Sequence, residues 1–136
     1  MFLSRLSLCA LLGLNLLASC GPTSQPSPKL VVSPDTSLYH HPLQIRAEGL
    51  QPGQSVWLKV QAVDAEENQW ASEARYEANP QGVVNPELTP ALEGTYQGTY
   101  PMGLLWSMKS ADDHQIATGS GYTATVELWT GDSAVA

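Results

Sequence analysis

Strict alternation over residues 55–63 constrains this chain most: Val56, Leu58, Val60 and Ala62 are apolar, while Trp57, Lys59 and Gln61 between them are of another kind. A period of two puts one set of side chains on one face, as a half-buried strand requires and a helix cannot supply. The pattern recurs at Leu43, Ile45 and Ala47 against Gln44, Arg46 and Glu48, and at Val126 and Leu128 against Thr125 and Glu127. Trp70, Ser72, Ala74, Tyr76 and Ala78 form a further candidate strand with one aromatic-rich face. Turn signals separate these runs. Gln51-Pro52-Gly53 has proline and glycine where a type II turn wants them, Asn79-Pro80-Gln81-Gly82 repeats the theme, and Glu67-Asn68 offers a residue that tolerates positive φ. Short turns between strands imply antiparallel pairing.

Beyond the N-terminal segment there is no sustained helical stripe, so the alternation predicts an all-β fold: an antiparallel sandwich of about seven strands, immunoglobulin-like in general architecture. The chain starts differently. A single positive charge at Arg5 precedes an apolar run from Leu6 to Leu17, interrupted by Ser7 and Asn15. That run is too short to cross a hydrocarbon core of about 30 Å and reads as an export signal. It ends in Leu17-Ala18-Ser19-Cys20, which resembles the lipobox of bacterial lipoproteins, where small residues admit a peptidase and the new N-terminal thiol is acylated. Two or three acyl chains on Cys20, each buried methylene adding about 0.8 kcal/mol, would hold the protein on a membrane. The other reading is an ordinary secretory signal with a cysteine near its cleavage site. Lipidation implies a cell-envelope location, and Gly21 in place of an aspartate favours the outer membrane in a diderm.

The expected organisation is a signal peptide over 1–19, a Pro/Ser-rich tether over 20–33, a sandwich over 34–132 and a tail over 133–136. The tether rests on the run from Gly21 to Lys29, which has three prolines and no apolar side chain to bury. Cys9 leaves with the signal and Cys20 is consumed by lipid, so no disulfide framework remains and stability must come from packing. The formal net charge is −7, and one unit more negative once Arg5 is removed. A chain this acidic has no basic stripe for phosphates, which argues against nucleic acid as a partner.

Candidate chemistry is sparse. Gly119-Ser120-Gly121, with Ala124, fits a Gly-x-Gly-x-x-Ala pattern, but a β-like segment follows where phosphate binding needs a helix N-terminus. It is also no nucleophile elbow, which needs Gly-x-Ser-x-Gly. His40, His41 and His114, the last beside Asp112 and Asp113, make a zinc site conceivable without demanding one. Asp64-Ala65-Glu66-Glu67-Asn68 lacks the glycine and terminal glutamate of an EF-hand and reads as a charged hairpin tip. No metal or other cofactor is expected. In Met102-Gly103-Leu104-Leu105-Trp106-Ser107-Met108, strand geometry would put Met102, Leu104, Trp106 and Met108 on one face, either as core or as a soft contact surface. Trp57 and Trp129 fall on the polar side of their strands and could extend such a surface.

Five pieces stand in a telling order. They are Gly49-Leu50-Gln51-Pro52-Gly53-Gln54-Ser55-Val56, Trp70-x-Ser72-x-Ala74, Gly82-Val83-Val84, Gly94-Thr95-Tyr96-x-Gly98 and Pro101-Met102-Gly103-Leu104-Leu105-Trp106-Ser107-Met108, followed by Val126-Glu127-Leu128-Trp129-x-Gly131. As a set they resemble the N-terminal domain of the acyl-CoA thioesterase and bile acid-CoA:amino acid N-acyltransferase family, over about residues 34–132. The resemblance implies an immunoglobulin-like sandwich beside an α/β-hydrolase domain that carries the nucleophile, aspartate and histidine. None of those catalytic residues maps onto this chain, so by itself it is expected to be inactive. Asn85-Pro86 stands where the family has an aspartate and an apolar residue, Asn68 where a hairpin glycine is usual, and Tyr76 where phenylalanine is common. Together with the lipobox at Cys20, the resemblance implies a lipid-anchored recognition or regulatory module, with a hydrolase domain or an acyl ligand as partner. The alternatives are a fragment of an acyl-CoA thioesterase and a purely structural surface module.

Overall fold

The computed structural model describes residues 26–37, 41–112 and 121–136, and within them the regular elements are antiparallel strands apart from one short helix. In chain order these are β1 (Lys29–Ser33), β2 (Gln44–Glu48), β3 (Ser55–Val63), β4 (Gln69–Glu77), β5 (Glu93–Gly94), the short helix α1 (Gly103–Trp106), β6 (Lys109–Ser110), β7 (Thr123–Thr130) and β8 (Ser133–Ala134). β1 and β2 form one sheet. The other runs β5-β4-β3-β7-β8, with β6 also pairing β4.

The alternation in β3 does what its period dictates. Val56, Leu58, Val60 and Ala62 are buried, and register fixes what each meets: Leu58 lies between Ala74 and Leu128, Val60 between Ser72 and Val126, and Ala62 between Trp70 and Ala124. Across β3–β4 each larger residue thus opposes a smaller one, Leu58 against Ala74, Val60 against Ser72 and Trp70 against Ala62. Ile45 and Ala47 close the core from the β1-β2 side, and Ala47 exchanges two backbone hydrogen bonds of 2.9 Å with Val84. The all-β sandwich expected from the sequence is the observed fold.

The turns follow their residues with one exchange. Gly53 sits at φ 74° and the Gln54 N–H donates to the Gln51 carbonyl at 3.0 Å, as a type II turn demands. At the β3–β4 tip, however, the residue with positive φ is Glu67, at 64°, not Asn68. Asn68 is occupied otherwise, since both its backbone and side-chain N–H groups donate to Asp64.

Three elements depart from expectation. β1 falls inside the stretch 20–33 assigned to a tether: Leu30 and Val32 pack against the core and all five residues pair with β2, so Lys29–Ser33 is part of the fold. The expected tail likewise folds back through β8, and the Val135 N–H donates to the Leu128 carbonyl at 2.8 Å. The third is 103–106, expected as strand and found as helix. Leu104, Leu105 and Met108 are buried, a spacing that suits a helix, while Trp106 points outward with 64% of its surface exposed. Five apolar positions in seven residues satisfy either period, so spacing alone could not arbitrate.

Candidate functional site

Polar side chains fasten α1 to the large sheet. A four-residue helix has little stability of its own, so its position must be imposed by its surroundings. The buried Ser72 hydroxyl on β4 donates to the Leu104 carbonyl at 2.5 Å, and Thr95 and Ser107 share a hydroxyl contact of 2.7 Å. Thr95 is itself tied to the Glu73 carbonyl through its backbone N–H at 2.8 Å and its hydroxyl at 3.1 Å. The Tyr76 and Tyr96 hydroxyls hydrogen-bond to each other. Burial, then the Tyr96 hydrogen bond and charge, push the Tyr76 phenol far above its usual range; burial raises Tyr96 too, with the Tyr76 hydrogen bond opposing. Both hydroxyls are therefore neutral donors and acceptors at ordinary pH and act as a structural clasp. The Tyr96 ring lies where a Cβ on residue 103 would be, which is why glycine stands there. Tyr100 meets Tyr96 edge-on, with centroids 6.4 Å apart.

The hairpin tip is a second polar construction. Asp64 is buried, and its carboxylate accepts from the Glu66 and Asn68 backbone N–H groups at 2.9 Å each, from Asn68 Nδ2 at 3.1 Å and from the Trp70 indole at 3.0 Å. Burial opposes the charge, but these donors outweigh it and lower the carboxyl to about 2. Every donor comes from the chain itself, so the tip is held closed by Asp64. This agrees with the hairpin reading of 64–68. An open groove beside it is lined by Gln61, Val63, Gln69, Lys109 and Tyr122.

On the outer face of the large sheet, Trp57 and Trp129 are cross-strand neighbours, both half-buried. The Lys59 ammonium sits 4.4 Å from the Trp129 ring centroid and 3.4 Å from Glu73, and the Trp129 indole donates to Glu127 at 2.8 Å. The Trp129 indole is thus engaged by its neighbours.

Of the other residues singled out in the sequence, His41 is exposed, as is Gly121, where an added Cβ would meet open space. Cys20, His40, His114, Gly119 and Ser120 lie outside the described residues. Among the described residues no three His, Cys, Asp or Glu side chains gather as a metal site, and no helix is long and apolar enough to cross a membrane. What sequence reasoning missed is the outward turn of Trp106 and the tyrosine clasp beneath it. Gly103, a glycine inside an apolar run, was the available signal of a close approach.

The family described as "Acyl-CoA thioester hydrolase/BAAT N-terminal region" matches residues 40–128. Among similar proteins, mouse Acyl-coenzyme A amino acid N-acyltransferase 1 is 44% identical over 81 residues, 60% of this chain and 20% of its own length. Human Bile acid-CoA:amino acid N-acyltransferase is 38% identical over 81 residues, again 60% of this chain and 19% of its own. Mouse Acyl-coenzyme A thioesterase 5 is 40% identical over 73 residues, 54% of this chain and 17% of its own. The pairwise matches thus span about one fifth of these relatives, and the family match takes in β2 to β6, most of β7, the tyrosine clasp and α1. With the family match covering residues 40–128, most of the sandwich, the chain belongs to the acyl-CoA thioester hydrolase/BAAT N-terminal region family.

Proposed function

We propose that this chain is a non-catalytic module of that family, held at the cell envelope by lipid on Cys20 and acting as a recognition or regulatory domain for a hydrolase or an acyl ligand. The observation that supports the module reading is the family match over residues 40–128, a stretch described as an N-terminal region and forming a small part of the relatives it resembles. Calorimetric titration of the purified protein with acyl-CoA and with an acyl-CoA thioesterase should give heat of binding with at least one of them. Silence with both defeats the reading, as does thioester turnover by the protein alone that a single substitution in the sandwich abolishes. Lipidation is checked separately: the intact mass from a bacterial host should include acyl chains that the Cys20→Ser variant lacks.

The one-fifth span of the relatives also suits a second reading, a piece of a longer acyl-CoA thioesterase. An in-register α/β-hydrolase frame in the DNA after the Ala136 codon would favour it.

A further inference from the structure

Met102 serves two elements with two different atoms. Its carbonyl accepts the N–H groups of Leu105 at 3.0 Å and Trp106 at 2.9 Å, which closes the first turn of α1, while its Sδ accepts the Leu43 backbone N–H at 3.2 Å. Leu43 stands immediately before β2, so one thioether joins the small sheet to α1 across 59 positions of chain. A thioether is a weak acceptor, and a carbonyl would hold that N–H better. What sulfur adds is a bond that oxidation can cancel.

Access and geometry single out this sulfur over that of Met108. Met102 is half-buried and follows Tyr100 and Pro101, both exposed, whereas Met108 has only 9% of its surface exposed. A divalent sulfur carries two lone pairs, on opposite sides of its C–S–C plane, and Leu43 occupies one of them. An oxygen added on that side would have to lie between sulfur and nitrogen, and a separation of 3.2 Å has no room for it. Oxygen can therefore add only to the other side. The two sides give opposite epimers of methionine sulfoxide.

We propose that Met102 is an oxidation-sensitive latch, in which a peroxide converts the thioether to a single sulfoxide epimer and so releases Leu43, at the entrance to β2, from α1. The unoccupied lone pair attacks one peroxide oxygen, the O–O bond breaks, and the departing hydroxide takes the proton of the transferred oxygen and leaves as water. Sulfur loses two electrons and the peroxide gains them. The remaining lone pair, the one aimed at Leu43, now sits on a sulfur made positive by its oxygen and accepts poorly. Met102 also packs against the core, where the new oxygen is a polar atom in apolar surroundings and draws the side chain toward water. Leu43 then loses its acceptor. Ser72 on the Leu104 carbonyl and Thr95 on Ser107 still hold α1 to the large sheet, so the release is confined to the small-sheet side.

The probe is hydrogen peroxide on the folded protein, with the site read from fragment masses of the peptide that carries both methionines. One oxygen on Met102 before any on Met108 is expected. That peptide is then treated with each of the two stereospecific sulfoxide reductases. One should restore Met102 completely and the other leave it oxidised, whereas protein oxidised in urea should need both. Exchange of the Leu43 amide should quicken about tenfold after oxidation, as loss of one hydrogen bond implies, and the melting temperature should fall by about 5 °C. Both changes should vanish in Met102→Leu. Should that variant not fold, Met108→Leu, which leaves Met102 as the only methionine besides Met1, should keep both changes and assigns them on its own. Oxidation of Met108 first, a mixture of both epimers from the folded protein, or an oxidised protein with unchanged Leu43 exchange and melting temperature each overturn the latch.

Discussion

At the scale of single residues, the three titratable groups worth watching, Asp64, Tyr76 and Tyr96, are clasps. Asp64 sits at about 2 in the fold against about 4 in an unfolded chain, so its contribution is fully present above pH about 4 and is lost as pH falls through 2. Thermal melts between pH 2 and 7 should show this acid limb. Asp64→Asn should lower the melting temperature at pH 7, because an amide turns a donor toward Asn68 or Trp70, and should flatten the limb; an unchanged limb would exclude Asp64 as its source. Tyr76 and Tyr96 shift the other way, since the fold holds their protons longer than the unfolded chain does. Stability should be level up to pH about 10 and decline above it. Tyr76→Phe should shrink that decline while costing about 0.5–1.5 kcal/mol at neutral pH in urea unfolding, the usual worth of one hydrogen bond.

Elements are decided by what lies across from them. α1 shows this best, because its seven-residue neighbourhood reads equally as strand or helix and its own hydrogen bonds are few. The choice falls to Ser72, 32 positions away in the chain, which meets the Leu104 carbonyl, and to Tyr96, which needs the bare face of Gly103. Gly103→Ala should displace the Tyr96 ring and its contact with Tyr76, costing about 1–3 kcal/mol. Ser72→Ala strands a buried carbonyl and should cost a similar amount, about 1–3 kcal/mol. Denaturant midpoints measure both, and a loss below a few tenths in either would remove its partner from the clasp. The type II turn at Gln51-Pro52-Gly53-Gln54 is the contrasting case, legible locally because Pro52 presets one dihedral and Gly53 alone accepts the other at no cost.

Across the whole molecule, the small sheet matters more than its two strands suggest. β1 covers the edge of β2 and brings Leu30 and Val32 onto the core, so a protein beginning at Pro34 should be several kcal/mol less stable than one beginning at Pro26, on the scale of two part-buried aliphatic side chains and a lost strand. Equal melting temperatures for the two would show β1 to be ornamental. The alternation at Val56–Ala62 and the Pro-Gly turn were sufficient by themselves to determine an antiparallel sandwich, since a period of two and a fixed turn geometry are local properties of the chain. The order of motifs from Gly49 to Gly131 was likewise enough to point to the family. The tertiary structure alone decided that Lys29–Ser33 joins the fold and that Trp106 faces outward. Both depend on contacts between segments far apart in sequence, and short apolar runs cannot encode which distant surface will cover them.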